Sequence, residues 1–145
     1  MKPKAHSQLR KYRPWFYAAA LYNLLWGSWT VLFPGQLFAW LGLPAPQPLA
    51  FWQVVGMFVL VYAPAYYWAG RRPERGQALI LIGLLGKLLG PAGFLWSARH
   101  GQLPWAFGWT ILTNDLIWWL PFALYLRAAL PDRAAWRRLV IEGEY

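Results

Sequence analysis

Gln77-Ala-Leu-Ile-Leu-Ile-Gly-Leu-Leu-Gly-Lys-Leu-Leu-Gly-Pro-Ala-Gly-Phe-Leu-Trp-Ser97 decides how this chain is read. Between its polar ends the stretch is apolar throughout, apart from Lys87 at its centre. About 21 residues at roughly 1.5 Å each reach about 30 Å, the thickness of the hydrocarbon layer of a bilayer. Three further stretches of comparable length and character flank it, at 15–33, 49–69 and 105–126. With 59% hydrophobic and only 13% charged residues in 145, the chain carries more apolar surface than one small soluble domain can hide. The expectation is an all-α protein, a four-helix transmembrane bundle. A β-barrel would need alternating strands of about ten residues between turns, and these runs leave no room for them.

Outside the spans lie a basic arm at 1–14, expected to be loose, and a tail at 127–145. The outer loop from Pro34 to Pro48 carries no charge, and its Leu37, Phe38, Trp40 and Leu41 suggest a short amphipathic turn at headgroup depth. The loops around Gly70-Arg71-Arg72-Pro73 and His100-Gly101-Gln102-Leu103-Pro104 are too short for anything but antiparallel hairpins. Twelve Lys and Arg residues fall in the arm, the second loop and the tail, against Arg99 alone on the other side. Positive charge stays on the cytoplasmic side, so both termini are expected there, in a multi-pass protein of the cytoplasmic (inner) membrane. The first run is too long for a signal peptide and no small-residue cleavage pattern follows it, so it is expected to remain as a span.

The net charge of +9 borders the spans instead of forming a separate module. Membrane lipids with anionic headgroups are therefore the expected partner, and nucleic acid is not. Cysteine is absent, which excludes thiolate chemistry, disulfides and Cys-based metal sites. His6 falls in the arm and His100 in the outer loop, so a buried bis-histidine haem is not expected. A di-iron carboxylate cluster is excluded too, because Asp115 is the only carboxylate within a span. No metal or cofactor is expected.

Lys87 and Asp115 are the only charged residues near the middle of a span, where a charge costs roughly 2.5 to 3.5 kcal/mol on insertion scales. Asn23 and Asn114 fall at the same depth. The four are expected to form a midplane polar site for ligand binding or proton coupling, with Lys87 and Asp115 as an ion pair. Helical periodicity places Trp26, Gln53, Met57, Trp118 and Trp119 around it as pocket lining. On the second span Gln53, Gly56, Met57, Leu60, Pro64 and Tyr67 form the stripe expected to face inward. Gly83, Gly86, Gly90 and Gly93 form a stripe on which another backbone could approach closely. Pro91 lacks an N–H and deprives the Lys87 carbonyl of its helical donor, which predicts a kink at the charged site.

The segments Tyr22-Asn-Leu-Leu-Trp-Gly-Ser-Trp29, Gly86-Lys-Leu-Leu-Gly-Pro-Ala-Gly93 and Thr113-Asn-Asp-Leu-Ile-Trp-Trp-Leu-Pro-Phe122 resemble a family of small four-span bacterial membrane proteins. The resemblance covers about residues 15 to 127 and implies the fold without an activity. Some members carry the label alkyl hydroperoxide reductase, a chemistry that needs a cysteine this chain lacks. In size and span count the chain is also similar to DoxX-like membrane proteins.

Three functions are compatible with these features. The leading one is an integral membrane protein that binds a small or lipophilic solute, and moves it if Asp115 exchanges a proton as Lys87 turns toward or away from it. The second is an accessory subunit, in a homo-oligomer or larger membrane complex, whose polar pair only locks the helices. The third is an enzyme acting on a lipid or quinone, with Asp115 as acid or base; no nucleophile or cofactor accompanies it.

Overall fold

The computed structural model describes residues 8 to 143. Lys2, Lys4 and His6 of the arm, and Glu144 of the tail, lie outside the described residues. Within them helix is the only regular secondary structure, with no strand. We number the helices α1 (Arg13–Leu32), α2 (Gln36–Leu41), α3 (Ala50–Arg71), α4 (Gln77–Arg99), α5 (Gly108–Ile111), α6 (Ile117–Ala129) and α7 (Arg133–Arg137). Short 3₁₀ turns precede α1, α4 and α5, and a π-helical turn, Leu112–Leu116, joins α5 to α6 without a break.

Local chemistry sets several of these ends. Pro14 stands in the first turn of α1, where a missing N–H costs nothing. Gly42 closes α2 with φ of 64°, a left-handed conformation that glycine adopts freely. Asp132 caps α7 by accepting a hydrogen bond from the Ala135 N–H at 2.8 Å.

Among the described residues, two helices are long and apolar enough to cross a membrane, α3 and α4, whose most apolar windows have mean hydropathy 1.3 and 1.9. The other two expected spans differ for identifiable reasons. α1 is 20 residues long but carries Tyr17, Tyr22, Asn23, Trp26 and Trp29, which lower its hydropathy. The fourth is divided at the π turn, leaving α6 with 13 residues.

α1 packs along α3, and α4 along the π turn and α6. Where α1 and α3 cross, Gly27 and Gly56 face each other so closely that a Cβ on Gly27 would stand 2.9 Å from the Gly56 carbonyl oxygen. This is the backbone approach that small residues permit in helix pairs. Two apolar cores flank the middle of the molecule. One gathers Leu9, Tyr12, Phe16, Tyr66, Phe122, Tyr125 and Leu139, so residues close to both termini share it. The other, at the opposite end, packs Leu37, Phe38, Phe94, Ala98 and Phe107. Along α1, α4 and the π turn, the buried Asn23, Lys87 and Asp115 fall between these cores.

Residues 8 to 14 are not the loose segment that their charge suggests. Leu9 and Tyr12 are buried, the Tyr12 hydroxyl donates to the Leu124 carbonyl at 3.2 Å, and Arg13 Nε donates to the Gly70 carbonyl near the end of α3 at 2.8 Å. Trp52 is half-buried, edge-on to Phe38 and Phe107.

Candidate functional site

The site is organised by two interruptions of helical hydrogen bonding. In α4, Pro91 removes the donor for the Lys87 carbonyl. In the fourth helical stretch, the π turn widens the backbone at Asn114 and Asp115, the kind of local widening that recurs at functional positions. These two irregularities face each other. Trp119 Nε1 donates to the Lys87 carbonyl at 2.9 Å, so the acceptor freed by the proline is satisfied from the neighbouring helix.

Lys87 and Asp115 are 5% and 4% exposed, and Lys87 Nζ lies 3.9 Å from Asp115 Oδ1. The ion pair is thus present and buried, but at the long end of direct contact. The Lys87 ammonium also donates to the main-chain carbonyl of Asn114. Asn114 Nδ2 donates to Asp115 Oδ1 at 3.2 Å, which orients the carboxylate. The other carboxylate oxygen, Oδ2, sits against the bare Cα of Gly90; a Cβ built there would stand 2.9 Å from it.

Asn23 shares the depth of this pair but makes no hydrogen bond to it. Its Nδ2 donates to the Val59 carbonyl at 3.2 Å on α3. That bond assigns the amide orientation and leaves Asn23 Oδ1 buried without a donor; Asn114 Oδ1 is in the same condition. Buried polar atoms in folded proteins are nearly all hydrogen-bonded, so two unpaired carbonyl oxygens in one place need a reason.

Both residues border a cavity of about 220 Å³. α1 contributes Asn23, α4 contributes Gly83, Gly86 and Lys87, and the π turn contributes Asn114 and Asp115. α3 supplies the remaining wall with Val55, Phe58, Val59, Tyr62 and Tyr66. The four polar residues singled out from the sequence therefore line one space.

The five residues expected to line that space do not. Trp26 borders a separate, apolar groove with Tyr22, Trp29 and Trp40. Gln53 turns to α1, where its Nε2 donates to the Val31 carbonyl at 3.0 Å, and Met57 is half exposed. Trp118 is buried and donates to the Thr113 carbonyl at 3.1 Å, while Trp119 is engaged with the Lys87 carbonyl. The stripe expected to face inward on α3 is split: Gly56 lies at the α1 crossing, whereas Met57, Pro64 and Tyr67 are exposed.

The wall the sequence analysis missed contains Tyr62 and Tyr66, four residues apart on one face, and paired hydroxyls in an apolar run were the available signal. The glycine stripe of α4 also has another use. Gly83 makes room for the Tyr66 ring and hydroxyl and Gly90 for the Asp115 carboxylate, so side chains, not a second backbone, occupy the space.

Among the described residues, no three of His, Asp or Glu gather as metal ligands would. His100 is exposed and its Nδ1 lies 2.8 Å from the Trp96 carbonyl oxygen within its own helix end. Comparison with protein-family models, with curated proteins and with solved structures finds no match.

Proposed function

We propose that this chain is a four-span integral protein of the cytoplasmic membrane, with both termini on the cytoplasmic side, whose central cavity binds a small or lipophilic solute. The observation that carries this reading is a cavity bordered by a buried ion pair, among helices whose outer faces are bare hydrocarbon. Leu32, Phe58, Val61, Leu89 and Leu120 are between 66% and 71% exposed. Only 17% and 28% of the most apolar windows of α3 and α4 are buried, whereas a core helix of a water-soluble domain hides most of such a surface.

Tryptophans add to this support. Trp15 and Trp68 are exposed near one end of the helices, and Trp40, Trp96 and Trp105 near the other, the distribution of an aromatic belt at two interfaces. α1 and the α5–α6 stretch serve as the remaining crossings, with aromatic residues in place of aliphatic ones. Arg71, Arg72 and Arg75 lie at the end that holds the shared terminal core, where anionic lipid headgroups would meet them. The resemblance to small four-span bacterial membrane proteins points the same way.

A second reading, a structural or accessory subunit, is favoured by the bonds from Lys87 to Asn114 and from Trp119 to Lys87. They tie α4 to the fourth helical stretch and would lock it whether or not a solute binds.

The absence of cysteine makes the test direct. Single cysteines placed at Gln8 and Gln102 in vesicles of known orientation should react with an impermeant thiol reagent from opposite sides, Gln102→Cys from outside. Small molecules retained by the protein in nanodiscs should then be lost when Lys87→Met and Asp115→Leu are combined. Labelling of both cysteines from one side overturns the topology, and unchanged retention in the double variant overturns the binding site.

A further inference from the structure

We infer, on the basis of the membrane reading above, that the cavity takes the head of a neutral, hydroxyl-bearing lipophile that slides in sideways between α3 and α4. The chemistry of the floor, the size of the space and the nature of its mouth each restrict the ligand.

The fully buried polar atoms at this cavity that lack a partner are acceptors. Asn23 Oδ1 and Asn114 Oδ1 receive no hydrogen bond, and the Lys87 ammonium already donates to the Asn114 main chain beside Asp115. A ligand that fits must therefore bring a donor. Its charge is restricted as well. The lysine and the aspartate cancel, so a bound ammonium would add a second cation beside Lys87 Nζ. A bound carboxylate would add a second anion beside Asp115, whose charge already occupies Lys87, and would leave the two amide oxygens without a donor. In a site of low dielectric either repulsion is large. A hydroxyl avoids both: it donates to an amide oxygen and accepts from the hydroxyl of Tyr62 or Tyr66, which border the same space.

The cavity volume of about 220 Å³ holds about seven groups of water size, at ~30 Å³ each. That is enough for a head and its first few carbons, and the rest of a long chain must lie outside. The mouth allows this. Val55 and Phe58 on α3 are 42% and 66% exposed, and Gly86 opposite them on α4 is exposed too. A Cβ on Gly86 would meet only the Tyr62 hydroxyl, at 3.7 Å, so the missing side chain leaves the gap open. The opening thus faces the surface assigned to acyl chains, which suits a tail and excludes a hydrophilic solute arriving from water.

The probes are dodecanol, dodecylamine and dodecanoate, with butanol as a nearly tailless control, added to the full chain in nanodiscs and followed by native mass spectrometry. Dodecanol should bind at least about tenfold more tightly than the amine or the carboxylate, the worth of one well-made hydrogen bond against one repulsion. Gly86→Leu, which plugs the mouth and removes no polar group, should weaken dodecanol by at least about tenfold while thermal unfolding stays unchanged. If that variant does not fold, Gly86→Ala with the ranking of heads in the wild type decides. Equal affinity for the three heads, equal binding of butanol and dodecanol after correction for partitioning, or full binding by a folded Gly86→Leu overturns the inference. Any of these results leaves the solute-binding reading standing if the double variant still loses its retained molecule, whereas a failed topology removes both.

Discussion

Trp119 Nε1 donates at 2.9 Å to the carbonyl of Lys87, the backbone acceptor that Pro91 leaves without its helical donor. The proline and the tryptophan therefore form one unit, although they lie on different helices and 28 positions apart. The proline creates an unsatisfied carbonyl at the charged residue, and the indole meets it without bringing in a second charge.

This coupling can be measured as a double-mutant cycle. Trp119→Phe keeps most of the ring volume and orphans the Lys87 carbonyl, so it should destabilise the protein by about 1 to 3 kcal/mol. Pro91→Ala restores an N–H four residues after Lys87, and on that background the same substitution should cost about 1 kcal/mol less. Unfolding in detergent or nanodiscs gives both numbers. Strict additivity would show that the two residues are not linked through this carbonyl.

The glycines of α4 should separate into two kinds. Gly90→Ala places a methyl 2.9 Å from Asp115 Oδ2 and must displace the carboxylate from its hydrogen bond with Asn114, at a cost of about 1 to 3 kcal/mol. At Gly93 nothing lies within 4 Å of the added Cβ, and replacing a helical glycine by alanine should stabilise by up to about 1 kcal/mol. Thermal unfolding of the two single variants checks the difference in sign. Equal effects would mean that the carboxylate does not occupy the space above Gly90.

Removal of one charge should be worse than removal of both. Lys87→Met or Asp115→Leu alone leaves an uncompensated buried charge and should cost about 3 to 5 kcal/mol, whereas the combined variant should lie close to the wild type. Stability read together with retained small molecules separates the two readings of the site. A stable double variant that loses its solute marks a binding site; one that keeps every property of the wild type marks a structural lock.

The helical class and the buried Lys87–Asp115 pair were legible in the sequence. The length of the apolar runs dictates the first, and a charge centred in such a run, with one opposite charge in a neighbouring run, leaves little choice for the second. The cavity wall was not legible, for two physical reasons. Helical wheels assume a constant turn, but the π turn at Leu112–Leu116 inserts one residue and rotates everything after it by ~100° relative to a regular helix. Trp118 and Trp119 accordingly leave the face on which regular counting puts them. On α3, Gly56 looked like part of an inward stripe, yet it is consumed by the crossing with Gly27, and this turns Val55, Tyr62 and Tyr66 toward the cavity instead. Nothing in a single sequence says which partner a small residue approaches. Trp119 had a similar ambiguity: an aromatic ring was expected to form wall, and its N–H proved to be what matters.

The closeness of Gly27 to Gly56 joins α1 and α3 into one half of the molecule, and the bonds among Lys87, Asn114 and Trp119 join α4 and the fourth helical stretch into the other, with the rings of Phe16, Tyr66, Phe122 and Tyr125 packed between them. Both charged residues ride on the second half, while Asn23 rides on the first. If the halves rock apart, the opposite charges travel together and stay matched, and only the lone amide retreats from them. A passage could widen in this way without stripping either buried charge of its counterpart.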